Sequence, residues 1–173
     1  MVSAPFNSLQ TQEQIKIITA FLESIGITIL YRELDNSCFL PGIKLLRGSI
    51  LLDINLLKYP GDLLHEAGHI AITDAPLRAH IGTDKMSAEW PSQGDEIAAM
   101  LWSYAALYDL KLSPEVVFHS GGYKKDSQWL IDEFKNKRYP GLPLLEWMGF
   151  CYSAEKAVQK KKPAFPYMLK WLR

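Results

Sequence analysis

Residues 65–69 read His-Glu-Ala-Gly-His, and their flanks, Leu63, Leu64, Ile70 and Ala71, are apolar. No other feature constrains the chain as tightly. Pro60-Gly61 breaks the preceding segment, Asp62 can cap a helix, and Ala75-Pro76 can end one, so the pattern predicts a helix from about Leu63 to Ile72. On a helix, positions i and i+4 share one face about 5–6 Å apart. Both imidazoles then point the same way, out of a helix that is otherwise fit for burial. Two imidazoles and a carboxylate in such a helix are costly unless they are ligated or hydrogen-bonded. The plainer alternative is a pair of core histidines satisfied by backbone carbonyls, with Glu66 capping a backbone group.

The sharper reading is a metal site. Two imidazoles at this spacing can hold one zinc ion at about 2.0–2.1 Å each. Glu66, between them, can take a proton from metal-bound water. A third protein ligand is then required, with a fourth position left to water. A metzincin extension needs Gly at position 72 and His at position 75, where this chain has Ile72 and Ala75. Asp84 follows Gly82-Thr83 one residue short of the aspzincin spacing. Glu89 lies 20 residues after His69, the spacing of thermolysin-like gluzincins, but Trp90-Pro91 follows it and residues before proline are pushed out of helical conformation, so Glu89 is not expected on a stable helix. Glu96 opens the strongest helix in the chain, about Asp95 to Leu110, and is the preferred third ligand. Asp95 beside it can cap that helix or orient a ligand histidine.

Around this motif the chain reads as α+β. Ile15, Ile18, Phe21, Leu22 and Ile25 make one apolar face of a helix over about Gln12 to Ser24, which Gly26 ends. Ile27 to Tyr31, Ile43 to Leu46 and Ser49 to Ile54 read as strands separated by turns at Asp35-Asn36-Ser37, Pro41-Gly42 and Arg47-Gly48. They predict a small, mainly antiparallel sheet within residues 27–54, surrounded by helices. Residues 77–94 form a long connection, and long loops inside a domain are often functional. Region 111–173 is expected to be mainly helical and irregular, with helix starts at Ser113-Pro114-Glu115 and Ser127 and a short helix near Leu144 to Met148.

Composition narrows the function classes. The 173 residues fit one domain, residues 1–173, and 48% are apolar. Lys+Arg and Asp+Glu both number 19, which argues against a partner bound through many phosphates, so no nucleic acid is expected. Cys38 and Cys151 have no scaffold or C-x-x-C spacing. Met1 to Gln10 lacks the pattern of a secretory leader, and no apolar run reaches the roughly 18 residues of a membrane helix. The expectation is a cytoplasmic protein without a membrane partner. Oligomeric state is left open.

The order of helix, small sheet, H-E-x-x-H helix, connection and Ala-rich helix opening with Glu resembles the minimal zincin core of metallopeptidases. Within that group it is similar to the ImmA/IrrE-like family, over about residues 10–110 in layout. That family takes its third zinc ligand from an E-x-x-A-type segment, which Glu96-Ile97-Ala98-Ala99-Met100-Leu101 matches in part. The family's Asn beside the Ala is absent, and no helix-turn-helix is evident, so DNA-linked regulation does not carry over. The resemblance implies a single gluzincin-like domain holding zinc on His65, His69 and Glu96, with Glu66 as general base. It implies hydrolysis of a peptide or protein substrate. A non-catalytic metal-binding or sensory protein on the same scaffold is the alternative. Val117 to Tyr123 and Tyr139 to Pro143 also look like a group of small uncharacterised bacterial proteins, which implies no substrate.

Other polar groups carry weaker expectations. His119, before Ser120-Gly121-Gly122, reads as a core or surface histidine, with oxyanion stabilisation as its functional alternative. Tyr104 and Tyr108 read as packing residues and His80 as a loop histidine. Gly121 to Lys125 lacks phosphate-loop spacing. The lysine-rich end after Glu155 reads as a solvated helix end and tail, with Phe165, Tyr167 and Trp171 docking it onto the core; a weak contact with an acidic partner or RNA is the alternative.

Overall fold

Helix α1, Leu9–Ser24, buries Ile15, Ile18, Phe21 and Leu22, the stripe expected from their spacing. The computed structural model describes residues 9–35 and 38–173. Met1 to Gln10, the segment without a leader pattern, therefore lies outside the described residues except for its last two, and so do Asn36 and Ser37 of the first predicted turn. After α1 the chain turns at Gly26, whose φ of 92° is open to a residue without Cβ. It enters strand β1, Ile29–Tyr31.

Strands β2, Ile43–Leu46, and β3, Ser49–Leu52, form a hairpin in the register Ile43↔Leu52 to Leu46↔Ser49. The sheet order is β1-β3-β2, and β1 pairs with β3 in parallel, Ile29↔Ile50 to Tyr31↔Leu52. The sheet is thus mixed, one pairing of each kind, where a mainly antiparallel one was expected. The reason is topological. Strand β2 lies on the far side of β3 from β1, and the hairpin then returns the chain between them, so β1 and β3 run the same way. The central strand is the most buried, with Ile50, Leu51 and Leu52 all in the core.

Beyond the sheet the structure is helical: α2, Asp62–Ile72; α3, Ala75–Arg78; α4, Gln93–Leu110; a 3-10 turn at Pro114–Val116; α5, Ser120–Tyr123; α6, Ser127–Lys135; α7, Leu142–Trp147; and α8, Ala154–Lys160. This is a small α+β fold. Helices α2 and α4 form its centre, and eight residues of α4, from Ala98 to Leu107, are buried. Such a helix, apolar nearly all round, must be enclosed. Their close approach depends on Gly68 within the motif, because a Cβ there would lie 2.8 Å from the Ala99 carbonyl oxygen and 3.0 Å from its Cα.

Helix α4 starts two residues before the predicted Asp95. Ser92 is its N-cap: its hydroxyl accepts the Asp95 N–H at 3.2 Å, and the Asp95 carboxylate accepts the Ser92 N–H at 2.8 Å. This reciprocal capping box satisfies two end donors and spends the Asp95 side chain on the helix end. Asp95 is therefore neither the N-cap nor a partner of a ligand histidine.

The chain's end does more than trail into solvent. Lys160, Lys161 and Lys162 are exposed, but Phe165 is buried, and the Trp102 indole donates to the Trp171 carbonyl at 3.1 Å. Trp171 also meets Phe21 edge-on at 4.9 Å between ring centroids. Tyr167 remains 55% exposed, so of the three expected anchors Phe165 and Trp171 carry the docking. The Arg173 backbone N–H donates to the Ala71 carbonyl at 2.9 Å and its guanidinium pairs with Asp74 at 2.8 Å. A cation there suits the negative end of the α2 dipole. Both cysteines are free thiols. No helix among the described residues is long and apolar enough to cross a membrane.

Candidate metal centre

Helix α2 presents His65 and His69 to one side, and the first turns of α4 bring Glu96 across from them. His65 Nε2 lies 3.1 Å from His69 Nε2 and 3.2 Å from Glu96 Oε2, and His69 Nε2 lies 3.5 Å from Glu96 Oε1. Around a tetrahedral ion with bonds of about 2.0–2.1 Å, ligand atoms stand about 3.3–3.4 Å apart. The His65–His69 separation and the two histidine–carboxylate separations, each to a different Glu96 oxygen, lie near that value. His65, His69 and Glu96 are the group of acid, histidine or cysteine side chains, among the described residues, whose ligand atoms converge within 4.8 Å.

Electrostatics fit a cation between them. Burial, with His65 adding to it, pushes the His69 imidazole down to about 4, so the ring is neutral at pH 7. Its Nδ1 is the one buried side-chain nitrogen or oxygen among the described residues without a hydrogen-bond partner. The ring's polar contacts therefore run only through Nε2, toward His65 and Glu96. The hydrogen bond to His65 holds the Glu96 carboxyl below its ordinary range, with burial opposing, so it is an anion at neutral pH. Two facing imidazole nitrogens and a carboxylate share one gap that a cation would satisfy at once.

Glu66 lies outside that ligand set but lines the same cleft of about 600 Å³, together with Asp62, Trp90 and Tyr123. Burial raises its carboxyl to about 7; the nearby Glu96 and Asp62 charges add to the rise and His65 opposes it. A carboxyl titrating there is half ionised at neutral pH.

The other sequence candidates lie elsewhere. Asp84 and Glu89 are exposed on the connection and outside the ligand group. Asp95 is held in the capping box. Tyr104 packs on Phe134 at 4.6 Å between ring centroids, and Tyr108 pairs with Tyr167 at 5.7 Å; neither lines the cleft. His80 is also absent from its walls. Asp62 does not cap α2, because Gly61 is the N-cap residue and makes no side-chain cap bond. The Asp62 carboxylate instead accepts from His119 Nε2 at 2.8 Å. His119 Nδ1 accepts the Gly122 N–H at 3.1 Å, and its ring stacks on Tyr59 at 3.8 Å. Both ring nitrogens are thus engaged inside the protein, which leaves His119 a structural pin between α2 and α5.

That pin places a residue with no role in the sequence reading. Tyr123, at the end of α5, sets its hydroxyl 3.0 Å from His65 Nδ1. When His65 Nε2 donates to Glu96, Tyr123 donates to Nδ1. When Nε2 offers its lone pair to a cation, Nδ1 carries the proton and Tyr123 accepts it. Burial, reinforced by the neighbouring carboxylates, raises the Tyr123 phenol far above its ordinary value, so it keeps its proton. Trp90 is the second addition. Its ring meets His69 edge-on at 5.9 Å, and its indole donates to Thr73 Oγ1 at 3.2 Å, which ties the long connection to the end of α2. The length of that connection and the Ser-Gly-Gly-Tyr segment were visible in the sequence, but not their common destination.

Comparison with protein-family models, with curated proteins and with solved structures finds no match.

Proposed function

We propose that this chain is a zinc-dependent peptidase of the zincin type. The observation that carries the proposal is the convergence of His65 Nε2, His69 Nε2 and the Glu96 carboxylate, whose two oxygens lie 3.2 Å and 3.5 Å from the two imidazole nitrogens, with Glu66 in the same cleft. Two imidazoles and one carboxylate in such geometry suit zinc. His65, His69 and Glu96 would hold the zinc, which would supply Lewis acidity and lower the pKa of water at the site toward about 7.

The chain's own residues divide the remaining work. Glu66, poised near 7 by burial, accepts the proton of the attacking water on a carboxylate oxygen and returns it to the leaving amine nitrogen. Tyr123 accepts the His65 Nδ1 proton and so fixes that ring's tautomer. Its own O–H proton is then free to donate to a carbonyl oxygen in the cleft as charge develops there. Trp90 and Leu40 wall the cleft with apolar surface, which limits competing water.

The test loads chelator-treated protein with zinc and follows metal stoichiometry and cleavage of a peptide mixture by mass spectrometry. One zinc per chain with chelator-sensitive cleavage is the expected result. Zinc uptake without cleavage would favour a metal-binding or sensory role, and no uptake would sink both.

A further inference from the structure

The metal cleft has a second lobe. A cavity of about 360 Å³ adjoins it, and the two share Phe39, Leu40, Glu66 and Trp90 as common walls. The second lobe runs along edge strand β2, where Ile43 and Leu45 complete an apolar lining. Lys44 also borders it but is exposed, so its ammonium can stay in water while its stem faces the lobe. Glu66 is the one carboxylate on its walls and stands at the junction of the two lobes.

Phe39 draws attention to this lobe. It is 98% exposed, while the large side chains of the core, Trp102, Phe118 and Phe150, are almost completely buried. An isolated exposed apolar residue needs no explanation. An exposed aromatic bordering two contiguous cavities, one of them holding the ligand cluster, is different.

We infer that the lobe walled by Phe39, Leu40, Ile43, Leu45 and Trp90 is the specificity subsite of the peptidase, and that it takes a large apolar side chain, aromatic or branched aliphatic, from a residue beside the bond that is cut. The inference rests on the proposed hydrolase reading. Its physical basis is the match of an apolar, partly enclosed lobe to a side chain of the same character. Burying an aromatic side chain there would remove about 150–250 Å² of surface from water. A carboxylate or ammonium there would lose water with only Glu66 as a neighbouring buried charge, and an acidic side chain would face that carboxylate directly.

The test has two arms. In the first, zinc-loaded protein cleaves a peptide mixture, and then a matched pair with Phe or Ala at the selected position. Each missing methylene in an apolar pocket costs about 10-fold or more, so kcat/KM for the Phe peptide should exceed that for the Ala peptide by at least ~100-fold. Phe39→Ala, at an exposed position, should cut that ratio by at least ~10-fold. In the second arm, N-acetyl-phenylalanine amide and N-acetyl-alanine amide are titrated into Glu66→Gln protein, with the methyl resonances of Leu40, Ile43 and Leu45 as the readout. Saturable shifts for the phenylalanine amide alone are expected. Cleavage without preference and with unmoved methyls would overturn the subsite and leave the hydrolase standing. Shifted methyls without cleavage of any peptide would remove the hydrolase reading and support an apolar binding lobe. Failure of both arms would overturn both.

Discussion

The two ends of α4 solve opposite problems. Its C-terminal half carries Trp102 and Tyr104 into an aromatic cluster in which every ring finds a ring. Trp102 meets Trp171 at 5.4 Å, and Tyr104 meets Phe134 at 4.6 Å. The Trp102 indole even has its acceptor, in the Trp171 carbonyl. The N-terminal end carries Glu96 to two histidines whose nitrogens face each other, with an unpartnered ring nitrogen behind them. Apolar burial and dispersion complete the first environment without outside help. The polar atoms of the second converge on one another at 3.1 Å and 3.2 Å instead. The same helix thus joins an apolar core to a cluster of two histidines and a carboxylate within metal-binding distance.

The largest effects should separate these ends cleanly. Glu66→Gln should lower peptide turnover by about 10²–10⁴-fold with zinc content unchanged, since it removes a general base but no ligand. Glu96→Gln should instead lose zinc on dialysis. The reverse pattern, measured by metal analysis and turnover on both variants, would move the third ligand away from Glu96. At the other end, Trp102→Ala should cost about 3–5 kcal/mol in a denaturant melt. If zinc affinity in the refolded variant collapses to the same degree, the two ends are not separable.

Much of this was legible in the sequence because it is local. The motif helix, the α1 stripe and the position of Glu96 on a helix follow from residue spacing alone, and the structure brings His65, His69 and Glu96 together. What escaped was non-local. β1 pairs in parallel with β3 because of a crossover that no turn signal announces. Asp62 looked like a cap, yet a histidine 57 residues away takes its carboxylate. Tyr123 sat in a Gly-Gly segment suggestive of a loop, and it meets His65 58 residues away, beside the His119–Asp62 contact. The capping box at Ser92 and Asp95 was within reach of sequence reasoning, because an acid three residues after a serine is its signature.

Tyr123→Phe sharpens the polar end at a middle scale. It removes the hydroxyl that accepts His65 Nδ1–H and keeps the ring that packs on Phe118 at 5.1 Å. Loss of such a partner lowers metal affinity by about 10–100-fold. Competition with a chromophoric chelator measures it, and the absorption bands of the cobalt-substituted protein should shift with it. An unchanged spectrum and affinity would reduce Tyr123 to a packing residue. The thermal midpoint of the metal-free variant should stay close to that of the wild type, because the exchange leaves the apolar contacts intact.

The smallest effect tests whether the metal-free cluster is as tensioned as its burial implies. Burial raises Glu66 from 4.5 to about 7, so the folded state holds that proton more tightly than the unfolded chain. Its contribution to stability is fully present below about 4.5 and fades as pH rises toward about 7. His69 has the opposite sign. Its folded value falls from 6.5 to about 4, so its contribution is present above 6.5 and fades as pH falls toward about 4. Glu96, held low by His65, acts in the same direction as His69 but only around and below the ordinary carboxylate range. Between pH 4.5 and 6.5 the slopes of Glu66 and His69 therefore oppose each other, and the stability of chelator-treated wild type should be nearly flat. Glu66→Gln removes one slope. The metal-free variant should then gain about 1 kcal/mol per pH unit across that window, near the limit for one proton. Urea melts at several pH values on both proteins give the measurement. A variant as flat as the wild type would mean that His69 is not held neutral by burial, and the polar end of α4 would be closer to the finished end than its geometry implies.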